Sequence, residues 1–338
     1  PLLIIQLGME PITAYLFNYF SAVSFFINTP VIVISGIAIP LGICLIPASF
    51  LQGVFPGGGV LFGVGAQAAE LLIDAMLRLN DLFYLPGVGY FNVVSPSTLS
   101  LLIFYGFFFF LSSEFFRILY QRKRKKAMAA FCCLILVLSL GASAAADTDY
   151  SDANLVFVDV GQGDCLHIRT PGGKNILIDG GGSVNYDVGK KVLLPYLLKN
   201  GVKSVDLAIA THLHTDHYQG IIGLARNMEV KKLGTYAGNV LREQELVEET
   251  GLEKGDVLYL SAGDRIPVEK DIWIDVLYPE KKTEEEYQAL LSDEADENRS
   301  CLFMKVYYKG ITVLMTGDIG MEGEEEIMAL YRDNPEIL

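Results

Sequence analysis

Positive charge is scarce in this chain. Its 338 residues include 26 Lys and Arg against 40 Asp and Glu, a formal net charge of −14. So acidic a chain has no overall basic character to draw a polyanion. A nucleic-acid role would rest on divalent ions and on local groups such as Lys190, Lys191, Lys199 and Lys203. Cysteine is sparse too. Cys44, Cys132 and Cys133 fall in apolar stretches, and Cys165 and Cys301 fall on expected strands, so the five offer no disulfide framework. Cys165 and Cys301 read as buried thiols. Through Ala146 charges are few and nearly balanced, and the acidic excess lies beyond it. That scarcity marks the first part as membrane and the second as a soluble domain, with a boundary near 146–151.

Membrane spans need about 20 mostly apolar residues. Val31–Phe55, Pro96–Tyr120 and Ala127–Ala144 approach or exceed that length, and Ile12–Asn28 is a further candidate. The basic cluster of Arg117 and Arg122 through Lys126 belongs in the cytoplasm, so the following span carries the acidic domain to the extracytoplasmic side. That last span ends in Ala142-Ser143-Ala144 and also has the look of a signal peptide; its place behind other spans predicts a retained helix. Pro30, Pro40 and Pro47 predict a broken helix. Glu70, Asp74, Arg78 and Asp81 form one polar stripe on a helix from about Ala66 to Phe83. This stripe lines a pore or cavity, or marks a helix lying at the interface, the latter narrowly favoured.

The chain has only four histidines, and three stand in Thr211-His212-Leu213-His214-Thr215-Asp216-His217. Imidazole and carboxylate are the ligands that zinc and manganese take. Alternation turns His212 and His214 toward one metal, and Asp216 and His217 toward a neighbouring one. The preceding Val205–Ala210 reads as a buried strand that delivers the motif to a loop. Strands are also expected at 155–160, 165–169, 175–178, 301–308 and 311–315, and helices around 190–200, from Gly220 to Asn227 and over 322–331. Asp318, in Thr316-Gly317-Asp318, sits where a strand meets a loop and is a candidate bridging ligand. Asp159 and Asp164 are expected to brace loops, and Asp179 to orient the histidine loop from behind. His167, alone on a strand, reads as non-catalytic, and the acidic tract Glu284–Glu297 as a solvated connection.

The pattern strand–Asp–strand–His212-x-His214-x-Asp216-His217 with Gly317-Asp318 resembles the metallo-β-lactamase superfamily. More narrowly, Phe157-Val158-Asp159-Val160-Gly161-Gln162-Gly163-Asp164 is similar to the opening of the extracytoplasmic domain of ComEC-type DNA-internalisation proteins. So are Ile176–Gly181, Leu194–Leu197 and Asn298-x-Ser300, and the upstream part resembles the end of the competence region. The resemblance implies a multi-domain chain. A polytopic α-helical membrane region over 1–146 precedes an α/β hydrolase domain, an αββα sandwich, over 151–338. One or two divalent ions, zinc or manganese, would be held by His212 and His214, by Asp216 and His217, and by a bridging Asp318, with Asp216 also orienting the attacking nucleophile.

What this implies is a multi-pass cell-membrane protein that passes single-stranded DNA inward during natural transformation, beside other uptake proteins. Its extracytoplasmic domain would act as a metal-dependent nuclease or phosphodiesterase. Two departures stand out: Asn298 and Ser300 occupy the region where the superfamily has another histidine, and no histidine follows His217. We read the chain as a fragment missing both ends, with a sandwich cut short at its C-terminus, an under-coordinated second metal and impaired activity. The alternatives are a transport or scaffold protein with an inactive hydrolase fold, and a membrane-anchored hydrolase of small esters.

Overall fold

A computed structural model describes residues 2–51, 53–54, 57–83, 89–121, 126, 129, 131, 133, 135, 154–291, 298, 301–334 and 337. The chain divides into two compact units, Pro1–Ile135 and Leu136–Leu338. The expected boundary near 146–151 lies outside the described residues. So do Arg122–Lys125, most of Ala127–Ala144 with its Ala142-Ser143-Ala144, and Ser300.

In the first unit, helix α1 (Leu2–Phe17) is followed by a two-residue strand β1 (Tyr19–Phe20) and the helices α2 (Ser24–Leu51) and α3 (Gly58–Phe83). Strand β2 (Phe91–Asn92) pairs antiparallel with β1, and α4 (Thr98–Ser112) and α5 (Glu114–Gln121) complete it. Among the described residues, two helices are long and apolar enough to cross a membrane, α2 with 28 residues and α3 with 26. The three prolines do not break α2, contrary to expectation. A proline inside a helix costs about 3 kcal/mol, whereas opening a helix in hydrocarbon frees several polar groups at several kcal/mol each.

Two expected spans prove to be interrupted. Ile12–Asn28 is cut at Asn18, whose φ of 57° turns the chain out of α1. Its side-chain amide donates to the Ser95 hydroxyl at 2.8 Å, fixing the turn. Pro96–Tyr120 is cut at Ser113, which has extended backbone and ends α4 after 15 residues. The polar stripe lies on α3: Glu70, Asp74, Arg78 and Asp81 are exposed, and Arg78 pairs with Asp74 at 2.6 Å.

The second unit is a sandwich of two sheets. Strands β3 (Asn154–Phe157), β4 (Leu166–Arg169) and β5 (Asn175–Ile178) form an antiparallel meander. A π-helical turn at Gly189–Leu193 leads into α6 (Leu194–Lys199). The short β6 (Ser204–Val205) precedes β7 (Leu207–Ile209), and α7 (Thr215–Ala225) follows. After β8 (Glu229–Val230) come β9 (Leu233–Tyr236), α8 (Glu243–Thr250) and β10 (Val257–Leu260). The first sheet runs β10-β9-β7-β5-β4-β3, with β5, β7, β9 and β10 parallel. The second is an antiparallel meander of β11 (Arg265–Glu269), β12 (Ile272–Tyr278), β13 (Phe303–Tyr308) and β14 (Ile311–Met315).

Alternation along the strands builds the layers. Ile176 and Ile178 of β5 join Leu166, Ile168 and Ile209 in one core with Ile272, Ile274, Met304 and Val306 of the opposite sheet. Burying such a side chain contributes roughly 1.5–3 kcal/mol, so the register between sheets is set by this apolar face. On the second sheet, α10 (Met321–Leu330) seats Ile327 against Leu277, Tyr278 and Phe303. The acidic tract is not merely a solvated connection, since α9 (Glu284–Leu291) buries Tyr287 in the main core; 292–297 lie outside the described residues.

His167 points toward the helix layer and is buried. Asn175 commits its amide nitrogen to the Gly173 carbonyl, so its oxygen faces the ring at 3.2 Å. The ring's Nε2 then donates, and Nδ1 accepts from the Tyr196 hydroxyl at 3.0 Å. Burial lowers this histidine from 6.5 to about 4. A neutral folded ring means that its contribution is complete above pH 6.5 and is lost as pH falls from there toward 4. Between pH 7 and 5 the loss is about 2 kcal/mol by linkage. Urea titrations of the detergent-solubilised chain should show it, and His167→Gln should lack this share; an unchanged pH slope in the variant would refute the assignment.

Candidate metal centre

Strand β7 is buried because both faces are covered, and it ends at Ile209, two residues before the motif begins at Thr211. Thr211 is fully buried, and its amide donates to Asp179 Oδ1 at 2.7 Å while its hydroxyl donates to Oδ2 at 2.9 Å. Asp179 follows β5 with φ 59°, held by its own amide to the Ile209 carbonyl at 2.7 Å. The same Oδ2 accepts from His217 Nδ1 at 3.0 Å. One carboxylate therefore ties two points of the histidine loop, the bracing role expected for it.

Helix α7 starts at Thr215, five residues earlier than the Gly220 start read from sequence, so Asp216 and His217 stand in its first turn. The reason is local: His214 holds extended backbone as the residue before the helix, and an acidic Asp216 suits the positive end. Close packing then fixes the helix. A Cβ at Gly220 would overlap the Gly180 carbonyl, and one at Gly163, where φ is 79°, would overlap the Asp216 carbonyl. The D-V-G-Q-G-D segment thus acts through its backbone. Asp159 accepts from the Gly161 amide at 3.1 Å, and the Asp164 carbonyl, rather than its carboxylate, accepts from Gly181 at 3.0 Å.

The donors converge. His212 Nε2 lies 3.0 Å from His214 Nδ1, and His217 Nε2 lies 3.3 Å from Asp318 Oδ1. Among the described residues, one ligand atom each from His212, His217 and Asp318 lie within 4.8 Å of one another. Asp216 is half-buried and its charge acts on both His212 and His217. Burial, with His217 and His214 beside it, lowers His212 to about 3. For His217, burial opposes charge, yet the Asp179 carboxylate with Asp318 and Asp216 raises it to about 9.

A divalent metal fits this donor set. Each buried imidazole turns one nitrogen into the cluster and engages the other behind it, as metal-binding histidines do. Behind His217 that partner is Asp179; behind His212 Nδ1 stand the Thr211 hydroxyl at 3.1 Å and the Cys301 thiol at 3.6 Å. Sequence reasoning did not single out Thr211 or Cys301 for this place. Cys301 is brought there by the Leu302 amide bonding to the Thr211 carbonyl at 2.8 Å, a contact between segments remote in sequence. Burial pushes its thiol up to about 12, so it is protonated. Cys165 and Cys301 are both free and buried, as expected, but each lies just before a strand, β4 or β13, rather than on it.

Residues 158–337 match the metallo-beta-lactamase superfamily. The chain belongs to that superfamily. Membership implies a divalent metal at this histidine-and-carboxylate edge, and the two facing sheets are the fold that the motif led us to expect. Residues 2–140 match the competence protein family. The chain is also 30% identical over 196 residues to ComE operon protein 3 of Bacillus subtilis (strain 168). That stretch is 54% of this chain and 24% of the relative, so the chain spans about a quarter of that protein's length. A competence segment followed by a metallo-beta-lactamase domain makes this chain ComEC-type.

Proposed function

We propose that this chain forms part of a DNA-uptake protein of natural transformation. In this reading the competence segment is a multi-pass channel for single-stranded DNA. The metallo-beta-lactamase domain is an extracytoplasmic, metal-dependent nuclease. What carries the reading is the convergence of His212, His217 and Asp318, with His214 against His212, in a chain whose other half matches the competence family. His212 and His214 would hold one zinc or manganese ion, Asp216 and His217 a second, and Asp318 would bridge. A divalent cation there supplies Lewis acidity that withdraws charge from a phosphoryl oxygen.

The chain's own groups do the positioning. Asp179 fixes the His217 ring through Nδ1, Thr211 and Cys301 back His212, and Asp216, in the first turn of α7, would orient an attacking water. The second reading, a transport scaffold with an inactive hydrolase fold, draws on Asn298, which stands where the superfamily has a histidine and whose side-chain oxygen is buried without a partner.

The deciding experiment incubates the purified chain with end-labelled single-stranded DNA, with bis(p-nitrophenyl) phosphate and with p-nitrophenyl acetate, in manganese or zinc. Cleavage of both phosphodiesters that stops with a chelator is the expected result. Metal binding without any hydrolysis would favour the scaffold, and turnover of the acetate alone would favour an esterase. Protease added to intact cells should digest the domain; protection there would overturn the extracytoplasmic placement.

A further inference from the structure

Against α7 lies a short surface ledge that no part of the proposed chemistry uses, residues 183–187. Both ends are fastened to α7, the helix that carries Asp216 and His217. At one end the Gly182 amide bonds to the Gln162 carbonyl at 3.2 Å and the Ser183 amide to Gln219 Oε1 at 2.6 Å. At the other, Asp187 packs against Gly223 and accepts from the Lys190 amide at 2.8 Å. Between these anchors the side chains turn outward. Val184 is 89% exposed and Tyr186 is 38% exposed.

Tyr186 is not stranded at random. Its hydroxyl lies over Gly161, whose loop neighbour Gly163 seats against the Asp216 backbone. The ledge, the glycine loop and the first turn of α7 therefore stack in sequence, and the tyrosine sits one loop away from Asp216. Lys191 places its ammonium 5.8 Å from the Tyr186 ring centroid, and Lys190 is exposed beside it. The carboxylates nearest in the chain are partly committed: Asp159 caps the Gly161 amide and Asp187 the Lys190 amide. In a chain of net charge −14, an aromatic ring next to two exposed cations is chemically suited to one kind of occupant. Single-stranded nucleic acid is held by stacking of bases on aromatic rings and by cations along the backbone.

We propose that Tyr186, with Lys190 and Lys191, is the subsite that holds a nucleotide next to the phosphodiester at the metal centre, the base on the ring and its phosphate on the lysines. This rests on the nuclease reading above and names a specificity element for it. Val184, exposed on the same ledge, adds apolar surface there. The rigid anchoring of both ends means that the ledge is formed before substrate arrives, so little ordering opposes binding.

The test measures anisotropy of a labelled oligothymidylate and of an abasic strand of equal length on the full chain without hydrolysis, in calcium. The wild-type chain should prefer the base-bearing strand by roughly tenfold, the size typical of one stacked base. Tyr186→Ala should abolish that preference and Tyr186→Trp should keep it. Lys191→Gln and Lys190→Gln should keep the preference and each lower the slope of log affinity against log salt by about one. All three residues changed here are exposed, and circular dichroism checks that each of the four variants is folded. A preference that survives in Tyr186→Ala overturns the subsite. Should that happen while wild-type chain still cleaves DNA and bis(p-nitrophenyl) phosphate, only the subsite fails. Wild-type chain that neither binds DNA nor cleaves either phosphodiester refutes both.

Discussion

Asp179→Asn is expected to weaken divalent-metal binding by about 10- to 100-fold, the usual cost of losing a partner behind a metal-binding histidine. The substitution keeps size and shape and alters only hydrogen-bond polarity. Asp179 is fully buried and accepts three bonds, from the Thr211 amide, the Thr211 hydroxyl and His217 Nδ1. Asparagine retains one acceptor, which the Thr211 amide occupies, and sets its NH2 against the other two. His217 can meet that NH2 only by accepting at Nδ1, which moves its proton to Nε2. That nitrogen faces Asp318 and the cluster, and once protonated it no longer ligates. Competition with a chromophoric chelator would measure the change. Unchanged affinity would show that His217 is not held in its tautomer by Asp179.

Removing a proposed ligand outright should cost more. His214→Ala is expected to reduce metal-dependent cleavage by more than the roughly 100-fold that an outer partner commands, while the domain stays folded, because His214 is only half-buried. Asp318→Ala separates two roles for that carboxylate. It lies 3.3 Å from His217 Nε2 and its side chain is 46% exposed. As a bridge between two ions it should lower bound metal from two per chain to one; as a simple ion-pair partner of His217 it should leave metal content alone. Elemental analysis of the two variants beside wild type decides this. Cleavage that persists in His214→Ala would remove that residue from the centre.

Much of this was legible in local pattern. β5 and β14 have the bounds that β-branched content and turn residues announced, because turn residues on either side leave a short strand little freedom. The His-x-His-x-Asp-His spacing carried its chemistry in seven residues. Errors came where a local signal competed with tertiary contacts. Three prolines implied a broken α2, yet the helix runs through, since its own backbone bonds have no water to replace them in an apolar setting. Gly220 looked like a helix start; it lies inside α7, and its glycine serves the close approach to Gly180. Asn18 gave no warning that it would end α1, because a left-handed asparagine depends on the Ser95 contact 77 positions away.

Sequence alone determined the division into an apolar half and an acidic half, the superfamily resemblance and the identity of the metal-seeking side chains. These follow from composition and short spacing, which need no folded reference. Only the tertiary structure decided which atoms face one another: His217 Nε2 toward Asp318, its Nδ1 toward Asp179, Cys301 behind His212, and the Tyr186 hydroxyl over Gly161. The histidine pairings with Asp179 and Cys301 join residues 38 and 89 positions apart. They exist because two sheets must bury a shared apolar face, and doing so brings distant strand ends to one edge.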